Sequence, residues 1–248
     1  MTKQSYSREI NFDAIINFRD LGGYRAKGNR TVAWRQLFRS GYLHSMTERD
    51  LRRLKNEIKL TSVIDLRSDK ELTQRKEVGL LRDAGIKYFN TPFRSFNEEL
   101  YHNFKNMGEV YLSRIRHEGY CKPIIDALEI IAEPENHPLL FHCGAGKDRS
   151  GLVAAFVLSV LGVAESDIAA DYILSASYMP DLVTRLMEAP KTPEEVKNLP
   201  AYTWEATSES MRWFLSSLKR EFGSARGYLE MHGAEESLFN RLEQALLI

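Results

Sequence analysis

Residues 137–161 constrain the fold of this 248-residue chain more than any other stretch. His137-Pro138-Leu139-Leu140-Phe141 is a short apolar run of strand type, and residues 152–161 are apolar at nearly every position, long enough only for a buried helix. Between them lies His142-Cys143-Gly144-Ala145-Gly146-Lys147-Asp148-Arg149-Ser150-Gly151, which is therefore predicted to be a strand-to-helix loop. Further strand-like runs near 60–66 and 86–90 alternate with helical patterns near 47–56, 98–117, 123–132 and 166–178. Alternation of that kind predicts an α/β fold, a mostly parallel central sheet flanked by helices, with a ligand site beyond the carboxyl ends of the strands. Residues 208–248 are predicted to add two C-terminal helices, one with Met211, Phe214, Leu215 and Leu218 on its buried stripe and one with Leu238, Leu242 and Ala245.

The loop's position determines its chemistry. The first amides of a helix have no intrahelical partner, and Gly144 and Gly146 allow further amides, with Ala145 between them, to converge on one anion. Cys143 is predicted at the mouth of this funnel as a nucleophile. Cysteines beside helix N-termini and cations titrate at about 3.5–7.5 instead of about 8.5. A drop of three units needs about 4 kcal/mol, whereas a helix end supplies about 0.3–2. Arg149, six residues on, is the expected supplement, because its guanidinium can hold two phosphoryl oxygens. Ser150 is expected to donate to the sulfur, and Lys147 either lines the pocket or is a solvated charge. The predicted reaction is in-line attack of the thiolate on phosphorus, followed by hydrolysis of the thiophosphate.

His142-Cys143-x5-Arg149-Ser150-Gly151 resembles the signature of cysteine-dependent protein tyrosine phosphatases. Gly146-Lys147-Asp148-Arg149 resembles the variant in the bacterial tyrosine and phosphoinositide phosphatase group. Asn17-Phe18-Arg19-Asp20-Leu21-Gly22-Gly23, Val63-Ile64-Asp65-Leu66-Arg67-Ser68 and Asp171-Tyr172-Ile173-Leu174-Ser175 are similar to further segments of that group. The resemblance implies a tyrosine-phosphatase-like fold and a phosphotyrosine protein or phosphoinositide as substrate. It also implies that Asp20 or Arg19 braces the signature loop; the residues alone read equally as a turn. His142 is expected to fix the loop through a ring hydrogen bond. The alternative function is a phosphoryl-binding module that turns over weakly.

The general acid is not settled by the sequence. The loop after the 86–90 strand, Thr91-Pro92-Phe93-Arg94, carries no carboxylate, which leaves Asp148 and Asp65. Proximity to the cysteine favours Asp148; Asp65 has an alternative as an ion-pair partner of Arg67. No cofactor or metal is expected, because the only cysteines are Cys121 and Cys143, and no zinc-ligand spacing occurs. A nucleotide P-loop fails because Phe141 occupies its first glycine position and Asp148 follows Lys147.

With 34 basic against 34 acidic residues, bulk attraction to nucleic acid has no support. Residues 1–248 are expected to form one phosphatase domain, with 181–248 holding a lid segment and C-terminal helices; the Pro-bearing stretch 189–207, with Tyr202 and Trp204, is the lid candidate. Residues 1–9 are polar without an apolar core and 152–164 is too short to span a bilayer, so no secretory signal or membrane helix is expected. A reactive thiol suits the cytoplasm, with export by another route left open. Cys121 is expected to be structural, with a reversible disulfide to Cys143 as the alternative.

Overall fold

Five strands form one sheet in the order β1-β2-β5-β3-β4 in the computed structural model, which describes residues 6–72, 76–94, 98–190 and 192–248. They are β1 (Arg19–Asp20), β2 (Leu37–Ser40), β3 (Ser62–Asp65), β4 (Lys87–Asn90) and β5 (Leu139–His142). The pairs β2–β5, β5–β3 and β3–β4 are parallel and β1–β2 is antiparallel, so the mostly parallel sheet is as expected. Residues 1–5 of the polar N-terminal stretch and Lys191 of the lid candidate lie outside the described residues.

Period-two alternation splits the strand side chains between two cores. Phe38, Val63 and Leu140 face α1 (Glu48–Arg53), its π-helical continuation Leu54–Ile58, and Leu81 of α2 (Lys76–Asp83). Thr47 caps α1 with a reciprocal Thr47/Asp50 box. Leu37, Ile64, Leu139 and Phe141 face the larger core, built by α3 (Met107–Ile115), α4 (Glu118–Ile131), α5 (Arg149–Val160) and α6 (Glu165–Ile173). After α7 (Met179–Glu188) and the short α8 (Glu194–Lys197), the helices α9 (Ser208–Phe222), α10 (Ala225–Met231) and α11 (Glu236–Leu246) join that same core through Phe214, Tyr228 and Phe239. Helix α5 is buried nearly all round, which is why its sequence shows no polar stripe.

Several predicted helices are divided differently. Residues 98–117 form a 3-10 turn, Glu98–Asn103, and then α3, because the Asn106 side chain accepts from Glu109 N and restarts the helix. Helix α4 begins at Glu118 and runs through Pro123, which removes only the one bond that position 123 would donate back to Gly119. The C-terminal region holds three helices, since Gly223 at φ 77° ends α9 and Ser224 caps a short α10 by accepting from Gly227 N. No described helix is long and apolar enough to cross a membrane.

Candidate active site

Strand β5 ends at His142 and α5 starts at Arg149, so residues 143–148 are the connection the sequence predicts. Its carbonyls all have partners, and those of residues 144–147 are held from outside the loop. Tyr42 N donates to Gly144 O at 2.9 Å and Asn17 Nδ2 to Ala145 O at 2.9 Å. Arg39 Nη2 donates to Gly146 O at 2.7 Å and to Lys147 O at 3.2 Å. Cys143 O lies 3.4 Å from His142 Nδ1, and Asp148 O accepts from Leu152 N at 2.9 Å. Among the described residues none of the amides of residues 144–148 has a protein acceptor, and α5 has no side-chain cap. A peptide unit that turns its oxygen outward turns its N–H inward, so the loop is a hollow of free donors at a helix N-terminus.

Gly146 makes this turn possible. Its φ is +71°, and a Cβ there would sit 2.5 Å from the Ser40 backbone. Gly144 is different, since a Cβ there would meet only Arg149 Nη2, at 3.7 Å.

The outward pull depends on a charge cluster that sequence reasoning only partly found. Arg39, from β2, and Arg19, from β1, share the carboxylate of Asp171 in α6 at 2.7 and 3.0 Å, and all three side chains are nearly fully buried. Burial and the neighbouring Arg19 bring Arg39 down to about 10, while the two guanidiniums outweigh burial to hold Asp171 below the usual carboxylate range. A charged residue inside the apolar run Leu37-Phe38-Arg39 was the available signal, because a buried cation needs a partner. Arg19 reaches the loop through Asn17, which it contacts and whose Nδ2 donates to Ala145 O, whereas no hydrogen bond joins Asp20 to the loop among the described residues. Asp20 accepts from Gly22 N and Arg35 N, both at 2.8 Å, and so pins its own turn instead.

Cys143 and Ser150 are both buried beside this loop, and the Ser150 hydroxyl, expected to donate to the sulfur, has no protein partner among the described residues. The Cys143 sulfur lies within electrostatic range of Arg149, Lys147 and Arg39. Arg149 spreads both arms onto Glu71, at 2.6 and 2.7 Å. Burial opposes the charge on that guanidinium, and the carboxylate and sulfur outweigh it, raising its pKa. Glu71, held also by Ser68 N and Oγ, is brought down to about 2 by Arg149 despite partial burial. This carboxylate sits where a phosphoryl group would engage the fork. Sequence reasoning missed Glu71, which lies 78 residues from its partner in an ordinary polar turn.

The two acid candidates separate. Asp65 is fully buried, bound by Arg67 through both oxygens and by Tyr88 Oη at 2.9 Å, with His142 Nε2 at 3.5 Å; His142 and Arg67 outweigh burial and hold it below the carboxylate range. It lies where the ion-pair alternative puts it. Asp148 faces the cleft, and Oδ1 accepts from Tyr111 Oη at 2.7 Å, itself 2.7 Å from Tyr172 Oη. Burial pushes Asp148 up, but Lys147 and Arg114 outweigh it and keep the ligand-free carboxyl low. Lys147 differs from either expectation. It is buried, 3.5 Å from Asp148 Oδ1, and Nζ donates to the carbonyls of Thr203 and, at 3.0 Å, Glu205. It ties the lid candidate to the signature loop and is absent from the cleft wall.

That cleft has a volume of about 450 Å3 and opens beside Arg149 and Asp148, with Lys70, Arg94 and Arg114 on its walls and Val196 and Leu199 of the 189–207 stretch closing one side. Cys121 is buried in α4 against Tyr228, and burial pushes its thiol up. No group of three potential metal ligands exists among the described residues.

The sequence profile described as the tyrosine phosphatase family matches residues 10–248. A provisionally named tyrosine-protein phosphatase of Cupriavidus necator is 31% identical over 183 residues, covering 67% of this chain and 63% of that protein. The triple specificity protein phosphatase PtpB of Mycobacterium tuberculosis is 32% identical over 121 residues, 44% of each chain. The chain spans less than two thirds of the length of the first of these curated relatives. Among solved structures, the core catalytic domain of the PP-IP phosphatase SIW14 from S. cerevisiae aligns at 19% identity with a TM-score of 0.42, covering 68% of this chain and 88% of that one.

Proposed function

The chain belongs to the tyrosine phosphatase family, and from that premise we propose that it hydrolyses phosphate monoesters through a cysteinyl-phosphate intermediate on Cys143. The observation that supports this reading is the hold of Tyr42, Asn17 and Arg39 on the carbonyls of residues 144–147 from outside the loop, which leaves a hollow of amides beside Arg149. Three equatorial phosphoryl oxygens fit such donors, and positioning with charge stabilisation supplies most of the rate. An arriving phosphate takes the Arg149 fork from Glu71. The Cys143 thiolate then attacks in line, forming the S–P bond as the P–O bond to the leaving group breaks.

Asp148 is the proton donor in this reading. The dianion's charge raises its pKa, so it takes up a proton as substrate binds and passes it to the leaving oxygen. Water then attacks phosphorus, the S–P bond breaks, and the thiolate returns with inorganic phosphate. Phosphotyrosine proteins and phosphoinositides are the proposed substrates, and the triple specificity name of the Mycobacterium relative favours a site that takes more than one class.

Acid quenching during turnover of an aryl phosphate tests the reading. A phosphoryl adduct on the peptide bearing Cys143 is expected in the wild type and absent from Cys143→Ser. Undiminished phosphate release by the serine variant would overturn the mechanism.

A further inference from the structure

The two tyrosines behind Asp148, Tyr111 and Tyr172, are buried, and their hydrogen bonds run in one direction only. The ligand-free Asp148 is a carboxylate and can only accept, so Tyr111 Oη uses its single proton on Oδ1 at 2.7 Å. Tyr111 Oη must then accept from Tyr172 Oη, also at 2.7 Å, and the chain starts at Tyr172. Burial, with the charge of Asp148 beside it, pushes both phenols up, so both remain protonated donors at neutral pH.

We propose that Tyr172 is a positioning residue for the proton donor: acting through Tyr111, it holds Asp148 Oδ1 as an acceptor and leaves Oδ2 to take up and deliver the proton. This role rests on the phosphatase reading above, with Asp148 as its acid, and deepens it.

Packing fixes the chain. Tyr111, on α3, meets two rings edge to face, Tyr172 of α6 at 6.0 Å and 88° and Phe214 of α9 at 5.9 Å and 87°. Gly151, in the first turn of α5, lets the Tyr172 ring approach, since a Cβ there would lie 3.3 Å from it. Lys147 Nζ is 3.5 Å from the same Oδ1, so the close donors among the described residues meet one oxygen. Arg114 of α3 and Arg149 also favour the charge of Asp148, and Tyr101 faces it from the cleft wall. Glu71, Lys70 and Arg94 are the other charged groups lining that cleft. The guanidiniums act on the carboxyl as a whole, whereas the tyrosine chain distinguishes its two oxygens. Asp171, the residue before Tyr172, directs the loop's amides through Arg39, so adjacent positions on α6 serve the two halves of the site.

A hydroxyl that receives a hydrogen bond donates more strongly, by about 10–30%. A donor to the ionised form favours that form. Loss of the Tyr172 hydroxyl therefore weakens Tyr111 as a donor and raises the proton affinity of Asp148.

The test titrates the Asp148 carboxyl by carbon NMR in full-length protein labelled at aspartate, with the resonance identified by its loss in Asp148→Asn. Saturating sulfate, a dianion across the range, stands in for the phosphoryl group and lifts the titration. Tyr172→Phe is expected to raise the midpoint by about 0.2–0.5 unit. Tyr111→Phe is expected to raise it by about one unit or more, and the double variant no further than Tyr111→Phe alone. A ring-fluorinated tyrosine at position 172, a stronger donor of nearly the same shape, is expected to lower it. The basic limb of kcat for an alkyl phosphate is expected to move in step. A merely structural contribution would slow alkyl and aryl phosphates alike and leave the midpoint in place. A wild-type midpoint in Tyr172→Phe overturns the proposal, as does a further rise in the double variant or a rise with the fluorinated ring. Kinetics of Asp148→Asn report separately on the acid reading, which an unchanged ratio of alkyl to aryl rates would overturn while the midpoints still decide the chain.

Discussion

Arg39 Nη1 lies 2.7 Å from Asp171 Oδ2, and the same guanidinium reaches through Nη2 to Gly146 O at 2.7 Å. A carboxylate on α6 thereby sets the direction in which the signature loop's amides point. Removing it leaves two nearly fully buried guanidiniums, Arg19 and Arg39, without their counter-ion. Breaking a buried pair in this way costs about 3–5 kcal/mol. Asp171→Ala is expected to lower the urea unfolding midpoint accordingly and to abolish phosphate release, whereas Asp171→Asn, of the same shape, should unfold between the two. A midpoint for Asp171→Ala within error of wild type would show that the loop is held by other means.

The two glycines of the loop should respond in opposite ways. Gly146→Ala forces a side chain into a left-handed conformation, φ +71°, with its Cβ 2.5 Å from backbone. Strain of that kind costs about 1–3 kcal/mol before the overlap is counted. Gly144→Ala meets one atom at ordinary contact distance, 3.7 Å, and should change stability by no more than about 0.5 kcal/mol. Denaturant midpoints of the two variants check the contrast, and equal losses would refute it.

The strand, loop and helix around Cys143 were legible because each is specified locally: an apolar run, glycines beside a cysteine, and a second apolar run. Family resemblance pointed to Asp20 or Arg19 without separating them, and the Asp20 carboxylate turns back to Gly22 and Arg35. Contacts between distant segments left no local trace. Glu71 sits in an ordinary polar turn, and only the folded chain brings it to Arg149. Lys147 reads as a surface charge or pocket group because nothing nearby in sequence reveals that Thr203 and Glu205 offer it their carbonyls. The short α10 was missed because seven residues hold too few turns for a periodic pattern.

Asp20 should give the protein a measurable pH dependence. Its carboxyl is 1% exposed, and burial raises it to about 6 against the opposing bonds from the Gly22 and Arg35 amides. Its unfolded value is about 3.9. At this group the folded state therefore binds more protons between these limits, and its contribution to stability falls as pH rises from about 4 to about 6, then levels off. At neutral pH the ionised group costs on the order of 3 kcal/mol, from about 1.36 kcal/mol per unit. Asp20→Asn is expected to remove that slope from a series of urea midpoints spanning about pH 4 to pH 7. Parallel wild-type and variant profiles would place the titration elsewhere.

Asp148 and Asp65 should separate by leaving group. A general acid contributes about 10²–10⁴-fold, and mostly where the leaving oxygen is basic. Asp148 faces the cleft beside Arg149, and Tyr111 Oη at 2.7 Å leaves Oδ2 as the oxygen not engaged in that bond. Asp148→Asn should therefore slow alkyl phosphate hydrolysis by about 10²-fold or more while slowing nitrophenyl phosphate far less. Asp65 is wrapped by Arg67, Tyr88 and His142 away from the cleft, so Asp65→Asn should lower stability and leave the ratio of the two rates as in wild type. Tyr111→Phe should alter the same ratio as Asp148→Asn but less, because it removes the hydrogen bond that orients the donor and leaves the carboxyl in place. Rates for a series of aryl and alkyl phosphates across pH decide the assignment. A ratio that shifts in Asp65→Asn and not in Asp148→Asn would transfer the acid role to the buried residue.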